Sequence, residues 1–139
     1  MNDKSAPGSH RAIILVVERD PHVRALEAYF LNEAGYGVEF AADGVAALEM
    51  AREMKPDIII TEVLVPKLDG LALCRAVRKE AELKDTVVLI FSILAAQSRA
   101  REAGADAFLM KPLAEQRLVQ TVRELLAKRA GSPAQVARA

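Results

Sequence analysis

Short, continuous apolar runs alternate with helical patterns along this chain, and the alternation restricts its fold more than any other feature. The clearest runs cover residues 12–17, 57–62 and 86–91. They lack the every-second-residue pattern of a half-buried strand, so they predict strands buried on both faces, as in a parallel sheet. Parallel strands need crossover connections, which are usually helices. The chain is therefore predicted to be an α/β protein with helices on both faces of the sheet.

Five strand–helix pairs can be assigned along the chain. The predicted strands cover residues 12–17, 37–41, 57–62, 86–91 and 107–110, and the helices residues 21–34, 44–54, 70–80, 95–103 and 114–129. Five strands in a chain of this length fit the doubly wound order 2-1-3-4-5. A six-stranded dinucleotide-binding fold would need a glycine-rich turn after the first strand, where residues 18–21 read Glu-Arg-Asp-Pro. On the first helix, Val23, Leu26, Phe30 and Leu31 are expected to face the core.

The composition limits which classes of partner the chain is expected to bind and where in the cell it is expected to be. The 19 basic residues balance 19 acidic ones, so no overall field favours nucleic acid or a membrane surface. No apolar run approaches the ~20 residues of a membrane span, and the polar amino terminus lacks the apolar core of a signal peptide. We expect a single cytoplasmic domain over residues 12–129, with a disordered leader over 1–11 and a disordered tail over 130–139. The one cysteine, Cys74, is expected to be a core thiol.

Glu62 stands at the most informative position. It ends the third apolar run and precedes a turn that opens the third predicted helix. Ligands and chemistry in open parallel sheets gather at the carboxyl ends of the strands. The identity of this residue therefore bears directly on function.

Motifs at the strand ends resemble the CheY-like receiver domain of two-component response regulators, which has a flavodoxin-like fold. They are Ile-Leu-Val-Val-Glu-Arg-Asp-Pro at 14–21, Ala-Asp-Gly at 42–44, Pro-Lys-Leu-Asp-Gly at 66–70 and Gly-Ala-Asp-Ala-Phe-Leu-Met-Lys-Pro at 104–112, with Ser92 after the fourth strand. The resemblance covers about residues 11–129. Each motif is weak alone, and the order and spacing of all of them make the likeness specific.

The resemblance implies a set of site residues. In that family an aspartate after strand 3 accepts a phosphoryl group from a histidine kinase, while two acidic residues after strand 1 hold magnesium. A hydroxyl after strand 4 and a lysine after strand 5 read the phosphoryl group. These positions fall on Glu62, the pair Glu18 and Arg19, Ser92, and Lys111. By the same likeness, Phe108 is the aromatic that moves on activation, and a cis bond is expected before Pro112.

Two of these positions depart from the family's pattern. Magnesium prefers oxygen ligands, whereas the guanidinium of Arg19 offers donors and no lone pair. Glu62 replaces the acceptor aspartate, and its extra methylene displaces the carboxylate from the reacting position. Glu18 and Glu62 balance Arg19 and Lys111 in charge. We therefore expect no cofactor, a lost magnesium site, no enzymatic activity, and a Glu62 that is ion-paired with Arg19, Lys111 or both.

The output of such a domain is expected at the face made by the fourth helix, fifth strand and fifth helix. Ser92 and Phe108 would couple that face to the pocket, and a protein partner or a second copy of the chain would bind there. The adjacent apolar pair Ile93 and Leu94 is either a contact site or core packing. The connection from Ser92 to Gly104 is also about one helical turn shorter than the resemblance implies.

These observations predict a pseudo-receiver domain in phosphorelay-type signal transduction, acting as a phosphorylation-independent protein-interaction module. Its pocket would either imitate a phosphorylated state or form a locked ion pair. The alternative is a functional, magnesium-dependent phosphoacceptor receiver. An unrelated flavodoxin-like ligand binder is disfavoured, because no glycine-rich phosphate loop is present.

Overall fold

The computed structural model describes residues 11–130 and has one five-stranded parallel sheet. Its strand order is β2-β1-β3-β4-β5, which confirms the predicted doubly wound, flavodoxin-like arrangement. The strands are β1 (Ile13–Val17), β2 (Gly37–Ala41), β3 (Ile58–Thr61), β4 (Val87–Ser92) and β5 (Ala107–Met110). Because the three central strands are covered on both faces, their sequences are continuous apolar runs rather than alternating ones.

Five α-helices connect or follow the strands. They are α1 (Pro21–Glu33), α2 (Gly44–Met54), α3 (Gly70–Lys79), α4 (Gln97–Ala103) and α5 (Glu115–Ala130), with a short 3-10 turn at Ala81–Leu83. The side chains of Asp20, Asp43 and Asp69 each accept a backbone N–H bond at the start of α1, α2 and α3. The fourth helix has 7 residues and lies within the connection from Ser92 to Gly104 that the sequence predicts to be short.

The core consists of two apolar layers, one on each face of the sheet. Alternate residues of the central strands point into opposite layers, as Leu15 and Val16 of β1 do. The first layer packs under α2, α3 and α4, and the second under α1 and α5. Cys74 lies in the first layer as a free, buried thiol, which confirms its predicted place in the core. Burial raises the pKa of this thiol to about 11, so it is unreactive at neutral pH.

The inward face of α1 differs from the prediction. Leu26 is 48% exposed, and the buried residues of the helix are Glu27, Ala28 and Leu31. The apolarity of Leu26 predicts an inward position for its side chain. The packed stripe instead runs from Val23 through Glu27 to Leu31, at helical spacings of four residues. A glutamate thus occupies the centre of a buried helix face.

The predicted leader over residues 1–11 and the predicted tail over residues 130–139 lie outside the described residues, apart from Arg11 and Ala130. Within residues 11–130, no helix is both long enough and apolar enough to cross a membrane.

Candidate functional site at the carboxyl ends of the strands

The parallel sheet brings four of the predicted site residues to one edge. Glu18 directly follows β1, Glu62 follows β3, Ser92 ends β4 and Lys111 follows β5. The strand register aligns these ends, because Val17 pairs with Thr61, and Ser92 pairs with Met110. Residues that are up to 93 positions apart in sequence therefore contact one another.

Glu62 is surrounded by hydrogen-bond donors. Its Oε2 accepts the hydroxyl of Ser92 and the backbone N–H of Val63 at 2.8 Å, with a longer contact of 3.5 Å from the N–H of Leu64. Its Oε1 lies 3.3 Å from the N–H of Ile93 and 3.2 Å from Nζ of Lys111. The carboxylate is buried, and donors from three separate segments meet it. Such a cradle of N–H and O–H groups and a cation stabilises a negative charge.

Lys111 joins the two buried carboxylates. Its Nζ is 2.6 Å from Oε1 of Glu18 and 3.2 Å from Oε1 of Glu62, and it also lies 5.2 Å from the centre of the Phe91 ring. Burial by itself would lower the pKa of Lys111, but the hydrogen bond to Glu18 and the nearby carboxylates raise it above its ordinary value. The lysine is therefore a fixed cation between Glu18 and Glu62.

A glycine permits the position of Glu62. The backbone of Gly70, the first residue of α3, passes so close that a Cβ there would lie 2.3 Å from the carbonyl oxygen of Glu62. The N–H of Gly70 also donates to Val63 at 2.9 Å. Only a residue without a side chain allows this approach, so the start of α3 holds the Glu62 loop against the sheet.

Arg19 does not join this cluster. Glu62 was predicted to pair with Arg19, Lys111 or both, and it pairs with Lys111; Arg19 is exposed and forms no ion pair within residues 11–130. Glu18 is buried against Lys111 just after β1, whereas the next residue, Arg19, lies at a bend and is exposed. The guanidinium is therefore not a buried replacement for a metal ion.

A third buried carboxyl group, that of Glu27, was missed by the sequence reasoning. It is 6% exposed, and no hydrogen-bond donor contacts it among the residues that the structure describes. The pKa of Glu27 is raised to about 7, mainly by burial; Lys111 opposes the rise, and the charges of Glu18 and Glu62 add to it. The available signal was its place on the apolar stripe of α1, four residues from Val23 and four from Leu31.

The buried charges are thus unbalanced, contrary to the sequence-based count. Three carboxyl groups, of Glu18, Glu27 and Glu62, surround the single cation of Lys111, while Arg19 contributes from the surface. A raised pKa on Glu27 relieves this imbalance, because the group can remain protonated near neutral pH. Even so, no cluster of three or more His, Cys, Asp or Glu side chains within the described part of the chain could hold a metal ion.

Comparison with known families agrees with this geometry. The family model of the response regulator receiver domain matches residues 14–123 of the chain. The chain belongs to this family. It is 40% identical over 116 residues to the response regulator MprA of Mycobacterium ulcerans, covering 81% of this chain and 49% of that protein. The receiver domain therefore spans about half the length of the curated relatives it matches.

Solved structures show the same likeness. The chemotaxis response regulator CheY4 of Vibrio cholerae superposes with a TM-score of 0.79 at 30% identity, over 83% of this chain and 98% of that one. The signal receiver domain of a signal transduction histidine kinase from Syntrophus aciditrophicus gives a TM-score of 0.79 at 34% identity, over 84% and 90% of the two chains. The receiver fold is therefore shown by both sequence and structure.

The structure separates the apolar pair that follows Ser92. Ile93 is 59% exposed, whereas Leu94 is partly buried and packs against the core layer under α4. Phe108 packs against the same layer. Ser92 links the pocket to this region, because its Oγ accepts the N–H of Leu94 at 3.0 Å while its hydroxyl contacts Glu62. The peptide bond before Pro112 is cis, as the resemblance implied.

Proposed function

We propose that this receiver domain acts as a phosphorylation-independent protein-interaction module in phosphorelay-type signal transduction. The observation that carries the proposal is the contact set of Glu62. Its carboxylate accepts from the hydroxyl of Ser92, from Lys111 and from backbone N–H groups at once. By the family resemblance, Ser92 and Lys111 are the groups that read a phosphoryl group. In this chain both are already occupied by a side chain.

The donor set does not fit magnesium. Of the two positions that would hold the ion, one is the exposed guanidinium of Arg19, and the other, Glu18, binds Lys111 at 2.6 Å. Magnesium requires near-octahedral oxygen ligands and is usually bound through one or two carboxylates. Here the carboxylate oxygens of Glu18 and Glu62 are engaged by hydrogen bonds and ion pairs within the chain. We therefore propose that the domain uses no metal cofactor and is not an enzyme.

The proposed consequence is a pocket held in one arrangement. A glutamate carries one negative charge, whereas a phosphorylated residue carries about −1.5 to −2 at neutral pH. That smaller charge faces Lys111 at 3.2 Å, and Lys111 also pairs with Glu18 at 2.6 Å. Because the carboxylate is part of the polypeptide, the contact neither forms nor breaks with a signal. The output face would therefore be set by the sequence instead of by phosphorylation.

We propose a protein partner for the face formed by α4, β5 and α5. Ser92 reaches this face through its bond to Leu94, and Phe108 of β5 packs beside it. Met110 at the end of β5 and Ile93 before α4 are both exposed large apolar residues. Neither nucleic acid nor a membrane is proposed as a partner, because the chain's 19 basic and 19 acidic residues cancel.

Intact-mass measurement after incubation with acetyl phosphate and magnesium tests the proposal. The unaltered chain should show no phosphoryl-sized increase. The double variant Arg19→Asp, Glu62→Asp restores both family positions and should gain one, and a receiver domain that has the family's acceptor aspartate and both acidic residues serves as the positive control. Phosphorylation of a substantial fraction of the unaltered chain would instead support the magnesium-dependent phosphoacceptor alternative.

A further inference from the structure

The mouth of the pocket combines exposed apolar side chains with an exposed cation. An open cavity of ≈ 480 Å³ lies beside Glu62 and Lys111, and its lining includes Arg19, Leu64 and Ile93. These last three are exposed, Leu64 to 48% and Ile93 to 59%. Two large apolar side chains therefore accompany one cation at the entrance. Exposed apolar residues that cluster at a cavity mark contact surfaces more often than those that stand alone.

The polar groups that line the cavity differ in whether they have hydrogen-bond partners within the chain. Glu62 accepts from five donors, and Glu18 accepts from Lys111 and from the N–H of Asp20. The carboxylate of Asp20 caps α1 by accepting the N–H groups at its start. The carboxylates of the lining outnumber its cations, but the oxygens of Glu18 and Glu62 and Oδ1 of Asp20 accept from donors within the chain. Arg19 is different, because its guanidinium contacts no acceptor within residues 11–130.

We infer that Arg19, Leu64 and Ile93 form a docking surface for a protein partner that presents a carboxylate between apolar side chains. The planar guanidinium fork matches a carboxylate through two parallel hydrogen bonds. The apolar side chains would pack around that pair and exclude water, as the surroundings of interface hot spots do. A free inorganic anion would use Arg19 alone and leave both apolar groups exposed.

The docking surface deepens the proposed function and rests on it, since magnesium or a phosphoryl group would need the same pocket. The substitution that removes a metal ligand also supplies a group that binds anions. Arg19 follows Glu18 in the chain, so the residue held by Lys111 fixes where the guanidinium emerges. Ile93 leads from β4 toward α4, which places the docking surface beside the proposed output face.

Nuclear magnetic resonance titration of the ¹⁵N-labelled chain tests the inference. The probe is a capped five-residue peptide with a central glutamate between two leucines and a serine at each end. A second peptide carries glutamine at the centre, and inorganic phosphate is titrated separately. The expected result is a set of shifts at Arg19, Leu64 and Ile93 that the glutamate peptide causes and the glutamine peptide causes about tenfold more weakly.

Variants locate the contact. Arg19→Gln should weaken binding of the glutamate peptide about tenfold, and Ile93→Ser should weaken it several-fold. The matched control Arg75→Gln, which changes an exposed arginine of α3, should leave binding unchanged. Unaltered binding in Arg19→Gln, or equal binding of both peptides, would overturn the docking surface.

Two further outcomes would also overturn it. Equal affinity of inorganic phosphate for the same residues would make the mouth a small-anion site. Concentration-dependent shifts at Arg19 and Ile93 without any peptide would make a second copy of the chain the occupant. Phosphorylation of the unaltered chain by acetyl phosphate would instead remove the proposed function. A chain that is neither phosphorylated nor bound by the peptide would lose only the docking surface.

Discussion

The buried carboxyl group of Glu27 makes a quantitative prediction about stability. Burial raises its pKa from the ordinary 4.5 to about 7 in the folded state. Between these two pH values the unfolded chain releases the proton of Glu27 while the folded chain keeps it. Stability is therefore lost as pH rises through this interval and stays reduced above it. A difference of one pKa unit is worth about 1.4 kcal/mol, so the raised pKa of Glu27 corresponds to a loss of about 3 kcal/mol in the free energy of unfolding.

Glu27→Gln should recover that loss, because the amide keeps the shape of the protonated carboxyl group and has no proton to release. We expect the variant to exceed the unaltered chain in free energy of unfolding by about 2–3 kcal/mol at pH 8. At pH 4.5 the difference should shrink to within about 1 kcal/mol, since Glu27 is protonated in the folded state there. The glutamine amide also lacks a partner at this position, which sets the lower end of the range.

Urea unfolding followed by circular dichroism at pH 4.5, 6 and 8 measures this difference directly. The control is Glu33→Gln, which removes the same charge from an exposed position at the end of α1. The control should change the free energy of unfolding by no more than about 0.5 kcal/mol at any of these pH values. A Glu27→Gln chain that is less stable than the unaltered chain at pH 8 would refute the reasoning. It would show that Glu27 is charged and paired in the fold.

Four other substitutions test the site and its surroundings by the same unfolding measurement. Lys111→Met should lower the free energy of unfolding by about 3–5 kcal/mol at pH 8, because it leaves buried carboxylates without their cation. A smaller loss of stability at pH 8 than at pH 5 would contradict this reasoning. Gly70→Ala should cost about 1–3 kcal/mol, because its Cβ would collide with the carbonyl oxygen of Glu62; an unchanged midpoint would refute the close approach. Leu94→Ser should destabilise the chain by more than about 1 kcal/mol, because Leu94 packs against the core. Ile93→Ser should cost less than about 0.5 kcal/mol, because Ile93 is exposed. The reverse order would show that Ile93, and not Leu94, is the packed residue.

Much of the fold could be predicted from local sequence. Buried parallel strands are continuous apolar runs in the sequence. Capping aspartates mark the starts of helices, as Asp20 does for α1 and Asp43 for α2. Strand order followed from the alternation and from the number of strands, and the structure confirms it. The resemblance to receiver domains named Glu18, Glu62, Ser92 and Lys111 together, and the shared edge of the carboxyl ends of parallel strands explains why they meet.

What only the tertiary structure decided is which way individual side chains point and what surrounds them. Arg19 and Glu18 are adjacent in sequence, yet one is exposed and the other is buried against Lys111. Periodicity alone placed Leu26 inward, whereas the packing of α1 buries Glu27 instead. A helix's sequence defines a stripe only to within about one residue, and the neighbouring elements select the final rotation. Burial in the fold raises the pKa of Glu27, Lys111 after β5 opposes the rise, and Glu18 after β1 and Glu62 after β3 add to it; no local pattern in α1 contains these effects.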